Sequence, residues 1–292
     1  MAIPDLYLLQ AGLWPRDPLN STGHARVYCC IPEPVSRSKA RASDCFYAER
    51  MTSMTLPATT PLRLYLMQVA TLSQVEVPIV CYLVQTADGK NILIDSGLPG
   101  QFETPAGRPA PILGQDVFAQ LALLDLQPDD IDLLICTHFD LDHCGHHVDF
   151  PRAELVVQRE QYETARNGHP RFAAARPHWD LPAERYRLIN GDTTLLPGIE
   201  LIETSGHVPG HMSVLVRLSQ TGPILLTIDA APNEESFHPD RQAGPLDLDV
   251  EKTIASTIKL LEVARREQVA LTIFGHDGHQ WPTLKTLPAY YE

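Results

Sequence analysis

Ile131-Asp-Leu-Leu-Ile-Cys-Thr-His-Phe-Asp-Leu-Asp-His-Cys-Gly145 is an apolar run that ends in His138, Asp140, Asp142 and His143. The first part is strand-like, and a strand end is a rigid platform. Carboxylates and neutral imidazoles are what divalent ions bind, so four of them at one strand exit make half of a metal site. Taken singly, each could be an ordinary solvated turn residue.

Two more histidine-centred turns follow strand-like segments further along, Gly206-His207 and Gly275-His276. Eight of the twelve histidines (138, 143, 146, 147, 207, 211, 276 and 279) fall into three short clusters, a grouping that isolated structural histidines do not require. His138 and Asp140 share one side of an extended backbone, whereas Asp142 and His143 lie a turn further on, giving two pairs for two ions. Each ion then needs a third ligand, for which His207 and His276 are the candidates. Asp229 ends the run Ile224-Leu-Leu-Thr-Ile-Asp229 and is placed to bridge both. Asp142 and Asp229 are the candidate catalytic carboxylates.

Around these motifs the chain alternates strand and helix. Leu64–Val69 and Val77–Val84 read as strands, and Asp88-Gly89 as a hairpin turn before Asn91–Asp95. Val117–Leu124 reads as a helix leading to the His138 strand. The second half repeats the alternation: strand Glu154–Val157, a helix near Arg159–Ala165, and a polar excursion over 167–187. Strands at Ile199–Ile202, Met212–Val216 and Ile224–Ile228 follow, then an amphipathic helix from Val250 to about Gln268 and a closing strand Val269–Phe274. Two β-rich halves with helices outside suggest an α/β fold of the αββα sandwich type, with the site where strand ends converge.

The 292 residues are 44% hydrophobic, ample for a core, and carry a formal charge of −13. All of the acidic excess lies beyond residue 60, which disfavours a nucleic-acid partner, because such binding draws on Lys and Arg. No apolar stretch approaches the roughly 20 residues of a membrane span, and the start lacks a secretory signal, so no membrane partner and a cytoplasmic location are expected. The six cysteines form no disulfide framework, and Cys144 is expected to be a buried, inert thiol. Residues 1–60 are Pro-punctuated and aperiodic and read as an irregular extension to a domain covering 61–292. Translation from Met51 or Met54, or an arm packing on the site or on a second copy in a homodimer, are its alternatives.

Thr137–Gly145, Gly206-His207, Thr227-Ile-Asp229 and Phe274-Gly-His276 resemble, in order and spacing, the metallo-β-lactamase superfamily and in particular its N-acyl-homoserine lactonase branch. The likeness covers about residues 62–288. It implies the metallo-β-lactamase-like αββα sandwich, two zinc ions and a metal-bridging hydroxide that opens a lactone or similar ester. Carried onto this chain, metal one belongs to His138, Asp140 and His207, and metal two to Asp142, His143 and His276, with Asp229 bridging. His211, four residues past His207, is expected to support the site rather than ligate.

Two positions depart from the family pattern. Asp140 stands where the family usually has His, adding a negative charge that favours a less acidic water and tolerance of iron or manganese. Pro232 stands where lactonases of this branch carry a Tyr that assists the developing oxyanion. A non-haem iron redox enzyme of the same superfamily is the alternative, since such members place a carboxylate at the position of Asp140.

Overall fold

The computed structural model describes residues 60–72, 77–102 and 110–292. Residues 1–59, including Met51, Met54 and nearly all of the proposed extension, lie outside them.

Strands β1 (Pro61–Leu72), β2 (Val77–Thr86) and β3 (Asn91–Ile94) form an antiparallel meander. β4 (Ile112–Leu113) pairs with the outer edge of β1. From β3 the sheet continues in parallel through β5 (Leu133–Ile135), β6 (Glu154–Gln158) and β7 (Tyr186–Ile189). The second sheet is built from β8 (Thr193–Leu196), β9 (Ile199–Glu203), β10 (Met212–Leu218), β11 (Gly222–Ile228) and β12 (Leu271–Phe274). Its order is β12-β11-β10-β9-β8, with only the β11–β12 pair parallel.

Alternation along each strand sorts side chains between the two faces. In β1, Leu64 and Leu66 point into the apolar layer between the sheets, where Val214, Val216, Ile224 and Leu226 meet them. Tyr65, Met67 and Val69 point the other way, into a second layer with Val117, Leu121 and Phe172. Helices α1 (Val117–Ala122), α2 (Leu141–Cys144), α3 (Arg159–Arg166) and α4 (Arg176–Trp179) fall among the connections of the first sheet. The long α5 (Val250–Arg266) covers the outside of the second through Leu260 and Val263, packed with Leu215 and Leu225. The result is the αββα sandwich.

The structure differs from the sequence expectation in detail. The 167–187 excursion is ordered by a 3-10 turn at Pro170–Phe172 and by α4, and it delivers β7 directly. The closing strand starts at Leu271 rather than Val269, because Gln268 turns with φ 51° and the Val269 N–H still bonds back to Ala264. Among the described residues no helix is long and apolar enough to cross a membrane.

Candidate metal centre

Each ligand motif sits where a strand of this framework stops. After β5, His138 and Asp140 face inward while Phe139 between them is fully buried, stacked on Trp179 with ring centroids 5.3 Å apart and planes 8° from parallel. That stack pins the turn, and α2 then carries Asp142 and His143. Gly145 closes the turn by donating its N–H to the Gly97 carbonyl at 2.8 Å. His207 lies in the β9–β10 connection, held against the start of α5 by bonds from Leu248 N–H to His207 O and from Asp249 N–H to Gly206 O. Gly206 has φ +143°, and a Cβ there would strike the Thr253 backbone. Asp229 and His276 follow β11 and β12, so the parallel pairing of these two strands sets them side by side.

All seven predicted residues come together, and all are buried. The oxygens of Asp229 divide between two groups. Its Oδ2 lies 3.2 Å from His207 Nε2 and 3.8 Å from His138 Nε2, with Asp140 Oδ2 3.3 and 3.4 Å from the same two nitrogens. Its Oδ1 lies 3.0 Å from His276 Nε2 and 3.4 Å from His143 Nε2, and Asp142 Oδ2 is 3.8 and 3.7 Å from these. Ligands about 2.0–2.2 Å from one tetrahedral ion stand about 3.3–3.6 Å apart, so both groups have the size of an ion's cage.

The imidazole orientations fit the same use. His143 Nδ1 bonds to Asp95 Oδ2 at 2.8 Å, His207 Nδ1 to Asp247 Oδ1 at 3.2 Å and His276 Nδ1 to the Pro78 carbonyl at 2.9 Å. Carboxylates and carbonyls only accept, so each ring donates from Nδ1 and turns Nε2 into the site. His138 Nδ1 bonds to Thr137 Oγ1 at 3.1 Å, and that hydroxyl donates on to Asp95 Oδ2 at 2.6 Å. The Nε2 atoms of His138, His143 and His276 are buried and make no well-aligned hydrogen bond, although carboxylate oxygens stand 3.0–3.8 Å from them, an arrangement that a cation between them would satisfy. Residues of both sets therefore fit an ion.

Electrostatics point the same way. Burial opposes charge on His143, but Asp229, Asp142 and Asp95 outweigh it and raise its pKa to about 10. His207, likewise buried, is raised to about 9 by Asp229, Asp140 and Asp247. Asp229 stays well below the usual carboxylate range despite burial, because His276, His143 and His207 surround it. The cavity favours positive charge at its centre, and protons on these rings stand where ions would.

Three contributors carry no motif in the sequence. Asp95, at the end of β3, accepts Thr137 N–H at 2.9 Å as well as the bonds to Thr137 and His143, and it holds φ 57°. Asp247 joins His207 to the buried Arg241, 3.0 Å away. Arg171, from the polar excursion, reaches in with a side chain only 5% exposed. Its Nε lies 2.8 Å from Asp140 Oδ1 and its Nη2 2.5 Å from Oδ2. Burial would neutralise Asp140, but Arg171 outweighs it and holds the carboxyl well below its ordinary range. The added negative charge of Asp140 thus comes with an added positive one.

The other singled-out residues sit outside the two groups. His211 takes the Asp229 N–H on Nε2 at 3.2 Å and bonds Thr204 through Nδ1. His146 pairs with Asp149 at 2.9 Å. His147 is buried and driven down to about 3 by that burial, and burial pushes the Cys144 thiol well up. Pro232 gives no side-chain donor, and its carbonyl accepts the His276 N–H at 2.8 Å.

Comparison with known proteins agrees with this geometry. The family model of the metallo-beta-lactamase superfamily matches residues 75–276. An N-acyl homoserine lactonase from a Bacillus species is 32% identical over 226 residues, covering 74% of this chain and 87% of its own length. An N-acyl homoserine lactonase from Azorhizobium caulinodans is 32% identical over 271 residues, covering 80% of this chain and all of its own. A solved N-acyl homoserine lactone hydrolase with N-hexanoyl-L-homoserine bound at its catalytic metal centre superposes with a TM-score of 0.69 at 28% identity, covering 80% of this chain and all of that one.

Proposed function

This chain belongs to the metallo-beta-lactamase superfamily, and from that premise we propose that it is a dinuclear, metal-dependent hydrolase opening an N-acyl homoserine lactone or a closely similar ring ester. The observation that carries the reading is the Asp229 carboxylate, whose two oxygens each face a separate pair of imidazole Nε2 atoms. His138, Asp140 and His207 would hold one ion, Asp142, His143 and His276 the other, with zinc favoured by the imidazole-rich donor set and the lactonase relatives. Two such ions supply Lewis acidity and a water that ionises near neutral pH.

The protein's own part is to place and to move a proton. Asp95, Asp247 and the Pro78 carbonyl fix the imidazoles, so little reorganisation is needed when charge develops on the substrate. Asp142 is the most exposed of the three carboxylates, its side chain 11% accessible against 5% for Asp140 and 1% for Asp229. It is therefore the carboxylate an incoming ester meets. In this reading it takes the proton of the attacking water and returns it to the ring alkoxide that leaves. Relatives at 32% identity over most of their length are lactonases, which favours hydrolysis over the iron redox alternative.

The test is metal analysis of the purified chain alongside lactone hydrolysis followed by proton release. Two zinc ions per chain with ring opening, and no ring opening by Asp142→Asn at zinc concentrations that refill both positions, is the expected result. Iron with oxygen consumption and no hydrolysis would reject the reading.

A further inference from the structure

Arg171 Nη2 stands 2.8 Å from His207 Nε2, the atom whose lone pair an ion would take. A ligand nitrogen uses that same lone pair to bind an ion, so guanidinium and ion exclude one another there. Arg171 is not a surface residue that strayed inward. Its Nε and Nη2 form a fork on Asp140, and its Nη1 donates to the Leu246 carbonyl at 2.6 Å. Leu246 precedes Asp247, the residue that holds the opposite nitrogen of His207. The backbone behind it is set by the Pro170–Phe172 turn, with Phe172 fully buried and its carbonyl taken by Trp179 Nε1 at 3.0 Å. A cation is thus built into the metal-one side of the centre. Among the described residues no comparable guanidinium bonds to Asp142, His143 or His276.

We propose that Asp140 and Arg171 act as one charge-neutral unit, in which the guanidinium competes with metal one for His207, so that metal one loads after metal two and is held more weakly. Asp140 can keep one oxygen on Arg171 while the other binds the ion, whereas Arg171 Nη2 must move away from His207 Nε2. The site then has two settings, Arg171 on His207 or ion on His207, and the free metal concentration selects between them. Charge-assisted bonds of this kind shift an equilibrium by about tenfold or more each. The unit also restores the charge balance of a neutral imidazole at position 140, since the carboxylate arrives with its own counter-charge.

The proposal rests on the dinuclear reading above, and one experiment separates the two. Purified zinc-loaded protein is exposed to rising chelator, and zinc per chain is measured. The parent should lose its ions in two steps at least about tenfold apart, and His207→Ala should lack the weaker step while keeping the tighter one. Arg171→Met should hold the weaker ion about tenfold more tightly, drawing the steps together, and Arg171→Lys, which keeps the charge but not the fork, should fall between. Asp140→His alone should hold that ion less tightly than the parent, because an imidazole then faces an unmatched guanidinium, and adding Arg171→Met should recover it. One shared step in the parent, or weaker zinc in a folded Arg171→Met, overturns the proposal and leaves the hydrolase reading standing. A chain that binds no zinc overturns both.

Discussion

Asp95→Asn tests whether the carboxylate behind the ligands sets their tautomers. Asp95 accepts three bonds: Thr137 N–H on Oδ1 at 2.9 Å, and Thr137 Oγ1 and His143 Nδ1 on Oδ2 at 2.6 and 2.8 Å. Asparagine has nearly the same shape, and its oxygen can still serve Thr137 N–H. Its NH2 group then replaces Oδ2 and can only donate. His143 is left two choices. It can accept from the new amide through Nδ1, which puts its proton on Nε2 and blocks metal binding. Otherwise it keeps Nε2 for the ion and strands an N–H against an NH2. Leaving one buried donor unpaired costs about 1–3 kcal/mol, and without the Asp95 charge that helps to hold His143 protonated the metal-free ring can escape as the other neutral tautomer, whereas the loaded protein cannot. About 2 kcal/mol of that difference falls on metal binding, or roughly thirtyfold in the affinity of the tighter ion, within the range usual for groups behind metal ligands. Chelator competition gives the affinity, and far-UV circular dichroism confirms that the variant is folded. A folded Asp95→Asn protein holding both ions as tightly as the parent would refute the tautomer argument.

Further outcomes follow from the same geometry. Asp229→Ala should lose both ions, since its two oxygens face both groups, whereas His276→Ala should lose mainly one; equal losses would count against a bridging carboxylate. Zinc uptake by the metal-free protein near pH 8 should release about two protons, one each from His143 and His207, whose pKa values of about 10 and about 9 keep them charged there. Release should fade as pH rises through about 9 to 10, measurable with an indicator dye in weak buffer, and a flat response would contradict the charge assignment. Gly145→Ala puts a methyl into the Pro99 backbone and 2.5 Å from the Gly97 carbonyl. It should cost about 2 kcal/mol or more, seen as a Tm lower by roughly 4–8 °C.

The seven candidate ligands were legible because metal chemistry allows few residue types, and each here follows a strand that announces itself by apolar periodicity. The residues that orient them were not. Asp95 reads as one more polar residue at a hairpin's far end, and only the β3–β5 pairing brings it to Thr137, 42 positions away. Arg171 looks no different from Arg176 or Arg185 in the same polar stretch, and what distinguishes it is the buried Phe172 beside it and the reach to Asp140. Asp140 therefore comes with a counter-charge that its own position in the sequence does not show. Among the elements, α2 is four residues long and β8 four, too short for a period to show. β7 hides behind Arg187 and gains its strand conformation by pairing with β6.

The ligands begin at His138, just past β5 of one sheet, and end at His276, just past β12 of the other. Ions held by this set are cross-links between distant stretches of a single chain, comparable in their effect on the unfolded state to a disulfide that closes a long loop. Unlike a disulfide, the link needs no oxidant and is undone by any solution that withdraws zinc. Metal supply then governs more than turnover. If the proposed zinc ions are the clasp, a cell that starves the chain of zinc would remove it, and the condition that silences the site would also expose the fold to unfolding and proteolysis.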